Sequence, residues 1–159
     1  MRFMFAALLW LITFSSVGVA SAETPQELTT LCQKGRAGAC ALLGYMYAGG
    51  TGVTQDAFKA VEFYRKACDG QFAAGCSNLG VMYAGGTGVR QDKFKAVELY
   101  RKACDGQNAG GCSNLGRMYE NGNGVRQSVA DALTFFGKAC DLKDADGCKY
   151  YAEFKTGRK

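Results

Sequence analysis

Apolar residues return along this chain at steps of three and four, not two. Cys40, Leu43, Gly44 and Tyr47 form one such face, which recurs as Cys76, Leu79, Gly80, Tyr83 and as Cys112, Leu115, Gly116, Tyr119. Steps of i, i+3, i+4 and i+7 gather side chains on one side of a helix with 3.6 residues per turn. A second set, Ala60, Val61, Tyr64, Ala67 and Cys68, is echoed by Ala96, Val97, Tyr100, Ala103, Cys104 and by Ala132, Leu133, Phe136, Ala139, Cys140. The pattern predicts two alternating kinds of amphipathic helix, whose apolar faces must be buried against one another. Between them lies Gly49-Gly50-Thr51-Gly52-Val53 or a copy of it. Such a loop supplies the positive φ that ends a helix and turns the chain back. It lacks the Gly-Lys-Ser/Thr ending of a phosphate cradle, so no nucleotide site is expected there.

The two helices and their loop make a unit of 36 residues. Residues 68–103 match residues 32–67 at 24 of 36 positions and residues 104–139 at 21 of 36, so the chain is an array of one supersecondary unit. Thr24-Pro25-Gln26-Glu27 combines a capping box with proline at the first helical position. Residues 25–34 are therefore expected to form a lone second-type helix that opens the array. Residues 145–155 copy the first-type helix in part, with Tyr151 in place of leucine, Ala152 in place of glycine and Lys155 in place of tyrosine; the added polarity suits an end cap. Full repeats at 37–69, 73–105 and 109–141 lie between, which gives eight antiparallel helices in one domain. Gly44, Gly80 and Gly116 fall inside helices, where glycine costs about 1 kcal/mol against alanine. Close approach of a neighbouring helix explains their presence.

This layout also pairs the cysteines. Each of Cys32/Cys40, Cys68/Cys76, Cys104/Cys112 and Cys140/Cys148 has one member ending a second-type helix and the other opening the next first-type helix, eight residues on. Those four pairs are the expected disulfides, one choice among about 105 pairings of eight cysteines. With no histidine in the chain and no Cys-x-x-Cys, a zinc site is not expected, nor is any cofactor.

Composition then places the chain. Apolar residues make up 48% and charged residues 21%, as in an ordinary globular protein. Residues 1–22 differ: a basic start at Arg2, an apolar run from Phe3 to Val19, and Ala20-Ser21-Ala22 in the small-x-small form of a cleavage site. They are expected to be a secretory signal peptide, leaving residues 23–159 as a secreted or periplasmic protein with no membrane span. The formal net charge of +5, or +4 without Arg2, is spread along the chain without a basic block, so nucleic acid is not an expected partner.

The run Cys76-Ser77-Asn78-Leu79-Gly80-Val81-Met82-Tyr83-Ala84-Gly85-Gly86-Thr87-Gly88-Val89, followed by Ala96-Val97 and Tyr100-Arg101-Lys102-Ala103-Cys104, resembles the Sel1-like repeat. The 36-residue unit with its cysteine pair is similar in particular to the secreted Helicobacter cysteine-rich proteins. The resemblance covers Cys32 to about Tyr151. It implies an all-α fold, an α/α solenoid of Sel1-like repeats related to tetratricopeptide repeats and stapled by disulfides. It also implies export, and either binding of peptide, protein or peptidoglycan-type ligands or a weak β-lactamase activity on penams.

The residues support the two activities unequally. Absence of histidine removes a Ser-His pair, and none of Ser77, Ser113 or Ser128 has a lysine three residues on, as a serine β-lactamase would need. Lys155-Thr156-Gly157 matches a third lactamase element but stands alone in the terminal tail. No catalytic residue is assigned. Glu62 and Glu98, beside Arg65/Lys66 and Arg101/Lys102, read as a solvated face paired at i,i+3 and i,i+4. A binding module asks less. Stacked hairpins curve, and first-helix positions that vary between units make a surface. Leu42/Asn78/Asn114 and Tyr45/Val81/Arg117 point away from the core face, and Glu120 adds a second charge beside Arg117. Asn78, Asn114, Arg117 and Tyr45 are the expected ligand-binding residues, the asparagines one repeat apart and able to donate to and accept from a peptide backbone. The array is expected to act as a monomer.

Overall fold

The computed structural model describes residues 24–157; the leader expected over residues 1–22 lies outside them. Eight helices follow in order: α1 Pro25–Gln33, α2 Ala37–Gly49, α3 Ala57–Asp69, α4 Ala73–Gly85, α5 Lys93–Asp105, α6 Ala109–Asn121, α7 Val129–Asp141 and α8 Ala145–Lys155. No strand occurs among the described residues, and no helix among them is long and apolar enough to cross a membrane.

Local chemistry sets the ends. Thr24 and Glu27 make the capping box of α1, each accepting from the other's backbone N–H. Asp56, Asp92 and Ser128 cap α3, α5 and α7, whose first-turn N–H groups would otherwise have no partner. The loop glycines behave as their spacing requires: Gly50, Gly86 and Gly122 close α2, α4 and α6 with φ of 73°, 72° and 66°. A side chain would be strained there.

Each helix packs on the next in the chain, and first-type helices also touch one another, α2 on α4, α4 on α6 and α6 on α8. Second-type helices have no comparable contact with each other. The first-type helices therefore line the inner, concave side of a curved stack and α1, α3, α5 and α7 its outside. The core lies between the two layers: Leu43, Ala60, Leu115, Ala132 and Phe136 are wholly buried.

The glycines inside α2, α4 and α6 admit an aromatic ring from the helix that follows. A Cβ on Gly44 would lie 2.5 Å from Tyr64, on Gly80 2.7 Å from Tyr100, and on Gly116 2.8 Å from Phe136. Ala152 takes the same place in α8, the last helix among the described residues. A second small-residue contact joins the units, where Gly75, Gly111 and Gly147 face Ala67, Ala103 and Ala139.

One sequence reading holds here and one needs correction. Leu42, Tyr45 and Val81 stay exposed, pointing away from the core face as their helix positions predict. Glu62 pairs with Lys66 at i+4, as read, but Glu98 pairs backward with Lys95 at 2.7 Å instead of with Arg101 or Lys102. Arg101 is drawn away to the next unit, donating to the Tyr119 hydroxyl at 2.7 Å and lying over the Phe135 ring.

Candidate functional site

The four cysteine pairs are disulfides: Cys32–Cys40, Cys68–Cys76, Cys104–Cys112 and Cys140–Cys148, with Cα atoms 4.3–4.8 Å apart. Each closes the turn between a second-type helix and the first-type helix of the next unit, so it fixes the angle at which units join. No cysteine among the described residues is free, and none of their acidic or cysteine side chains clusters as a metal site.

The concave side carries the expected ligand residues. Asn114 and Arg117 stand together in a depression of about 280 Å³ between α4 and α6, walled by Val81, Ala84 and Met118 and rimmed by Asn121 and Asn123. Tyr100 of α5 reaches its floor. Asn78 and Tyr45 lie outside this depression, one and two units toward the N-terminus, at the positions of α4 and α2 equivalent to Asn114 and Arg117. Asn78 and Asn114 are half-buried, Arg117 exposed, and Tyr45 63% exposed. Neither asparagine amide is paired with another described group, so both remain open to a ligand.

Burial pushes the Tyr100 phenol up to about 12, and the nearby Arg117 charge opposes that rise. The hydroxyl thus stays a donor across the physiological range, beside a fixed cation. Together with the asparagine amides this arrangement suits hydrogen-bonding and anionic groups carried on an extended chain.

Larger recesses exist on the loop edge, about 610 Å³ around Tyr83, Val89, Lys93 and Phe94, with a smaller counterpart around Tyr119, Val125 and Arg126. They are built on the loop that successive units share, with Lys93 and Phe94 of the first recess replaced by Val129 and Ala130 in the next unit. In the concave depression Asn121 and Asn123 replace Gly85 and Thr87 of the preceding unit. That departure from the repeat was the signal by which sequence could have found them. Tyr100 gave no such signal, because its spacing marks it as core.

Of the serines weighed for hydrolysis, Ser128 is half-buried and caps α7, its hydroxyl accepting from the Asp131 N–H, and the other two are buried. Ser77 and Ser113 are 7% and 8% exposed. The Ser113 hydroxyl donates to Asp144, whose carboxylate also accepts from the Gly147 N–H as the cap of α8. Lys155-Thr156-Gly157 runs off the end of α8, with Lys155 over the Tyr151 ring.

Comparison with known proteins agrees with this architecture. The Sel1 repeat family model matches residues 37–72, 73–108 and 109–144. Among solved structures, c5321, a protective antigen of uropathogenic Escherichia coli with an SLR fold, is 32% identical with a TM-score of 0.74, over 77% of this chain and 26% of that one. The chain therefore spans only about a quarter of that protein. A Sel1 repeat protein from Oxalobacter formigenes is 27% identical, TM-score 0.72, over 80% and 96% of the two chains. Helicobacter pylori cysteine rich protein B is 31% identical, TM-score 0.64, over 79% and 96%. No curated protein sequence matches significantly.

Proposed function

The chain belongs to the Sel1 repeat family, and from that premise we propose that it is a binding module holding an extended peptide along the concave side of α2, α4, α6 and α8. One observation carries the reading: two half-buried asparagines with unpaired amides, Asn78 and Asn114, recur one unit apart on that side, beside exposed Leu42, Tyr45, Val81 and Arg117. A backbone amide presents a donor and an acceptor at fixed separation, and an asparagine side chain answers both. The stem peptides of a bacterial cell wall offer the same groups and belong to the same ligand class.

Its work lies outside the cytoplasm, in secreted or periplasmic form, where thiols oxidise and disulfides persist. The similarity to a Helicobacter cysteine-rich protein supports that placement. The monomeric solenoid keeps its concave side open for the ligand. β-Lactam hydrolysis is not proposed: Ser77 and Ser113 are buried, and the Ser128 hydroxyl is taken up as the cap of α7.

The test uses the oxidised protein on an array of ten-residue peptides that includes cell-wall stem sequences. Asn78→Ala and Asn114→Ala should each weaken the best binder by about 1–2 kcal/mol, the cost of an unpaired partner, without moving the melting transition. Binding that survives both substitutions together would remove the concave side from the mechanism.

A further inference from the structure

One row of the concave side changes character at every unit. Tyr45, Val81, Arg117 and Glu153 occupy the same position of α2, α4, α6 and α8, so the row reads aromatic, aliphatic, cationic, anionic. Tyr45 and Val81 are 63% and 50% exposed, Arg117 is exposed and Glu153 half-buried. Arg117 enters none of the salt bridges among the described residues. The neighbouring row begins Leu42, Asn78, Asn114, with Leu42 51% exposed beside Tyr45.

The spacing of these rows selects a ligand conformation. Packed helices lie about 8–10 Å apart axis to axis, which sets the step from one unit to the next. A polyproline-II chain has three residues per turn and rises about 3.1 Å per residue, so each turn advances about 9.3 Å and every third side chain faces the same way. Side chains on one face of a β-strand lie about 6.6 Å apart, and those on one face of an α-helix about 5.4 Å apart or, two turns on, about 10.5 Å, so both match the units less well. The polyproline-II backbone also makes no internal hydrogen bonds, which leaves its N–H and C=O groups for Asn78 and Asn114.

Resting on the peptide-binding reading above, we infer that the concave side reads one side chain per unit of a polyproline-II peptide. The order runs apolar at α2, apolar at α4, acidic at α6 and basic at α8, at three-residue spacing. The apolar residues meet Leu42 with Tyr45, and then Val81. The acidic side chain enters the depression at Arg117, where the Tyr100 hydroxyl and the Asn114 amide are further donors. The basic residue lies against Glu153. Selection is by side-chain order, and the chain ends play no part.

The experiment uses acetylated, amidated peptides of the form Leu-x-x-Leu-x-x-Glu-x-x-Lys and its reverse, with x alanine or proline, titrated against the oxidised protein by fluorescence anisotropy. At least one direction should bind about tenfold more tightly than peptides with the same four residues at spacing two or four. Arg117→Glu should weaken that peptide about tenfold or more, and exchanging the peptide's Glu for Lys should restore it. Equal binding at all spacings, indifference to the charge exchange, or a requirement for a free C-terminal carboxylate would overturn the inference. If Asn114→Ala still weakens binding in those cases, the concave-side reading survives without the register; if it does not, both fall.

Discussion

Replacing Gly80 with alanine sets two known effects against each other. An alanine in the middle of α4 should stabilise the helix by about 1 kcal/mol, since glycine pays more backbone entropy. The added methyl would lie 2.7 and 2.8 Å from the Cε1 and Cδ1 atoms of Tyr100 and 3.2 Å from its Cζ, where ordinary contacts are 3.4–4 Å. The ring would have to retreat by roughly 0.7 Å in an interior packed like a crystal. It is 4% exposed and belongs to the cluster of Val97, Cys112 and Leu115, so retreat means repacking two units. Overpacking of that kind costs about 1–3 kcal/mol, which exceeds the helix gain. Gly80→Ala is therefore expected to destabilise by about 1 kcal/mol, and by up to about 2. The sign should reverse once the ring is gone: in a Tyr100→Leu background the same alanine should stabilise by up to about 1 kcal/mol. Gly85→Ala, at the exposed end of α4 with its nearest neighbour 3.4 Å away, is the control and should also stabilise. Urea unfolding with disulfides intact measures the parent and all four variants. A Gly80→Ala protein as stable as the parent, or an equal effect in both backgrounds, would refute the account of why glycine stands there.

Each nine-residue disulfide ring should contribute about 2–3 kcal/mol on the chain-entropy model, so full reduction should lower the melting temperature by tens of degrees. Alkylation before reduction should label no cysteine and afterwards all eight; a labelled thiol in the oxidised form, or an unchanged melt, would count against the staples. Stability should also fall at high pH. Tyr100 is raised to about 12 and Tyr64 is raised in the same direction, both by burial, so the unfolded chain ionises first. The contribution is whole below pH ~10, the ordinary tyrosine value, and is lost as pH climbs toward about 12. Arg117→Ala should push the phenol higher still and Tyr100→Phe should flatten part of the slope; an ultraviolet phenolate titration with an unshifted tyrosine midpoint would contradict this.

The elements were legible in the sequence because their causes are local. A three-four spacing of apolar residues, a threonine three before a glutamate, and glycine where φ must be positive each act within a few residues, and every unit repeats the evidence. The disulfides were legible for the same reason, since Cys68 and Cys76 are neighbours across one turn. What tertiary structure decided lies between units. That α4 needs Gly80 followed from the sequence, but that Tyr100 fills the space, and then reaches the floor of the depression, depends on how α5 crosses α4. That Arg101 reaches the Tyr119 hydroxyl, as Arg65 reaches that of Tyr83, depends on how one unit stacks on the next. Which helices line the concave side depends on α2, α4, α6 and α8 touching while the second-type helices splay. Periodicity tells each residue which way to face on its own helix; only the crossing of packed helices, set by side chains distant in the chain, tells it what it will meet there.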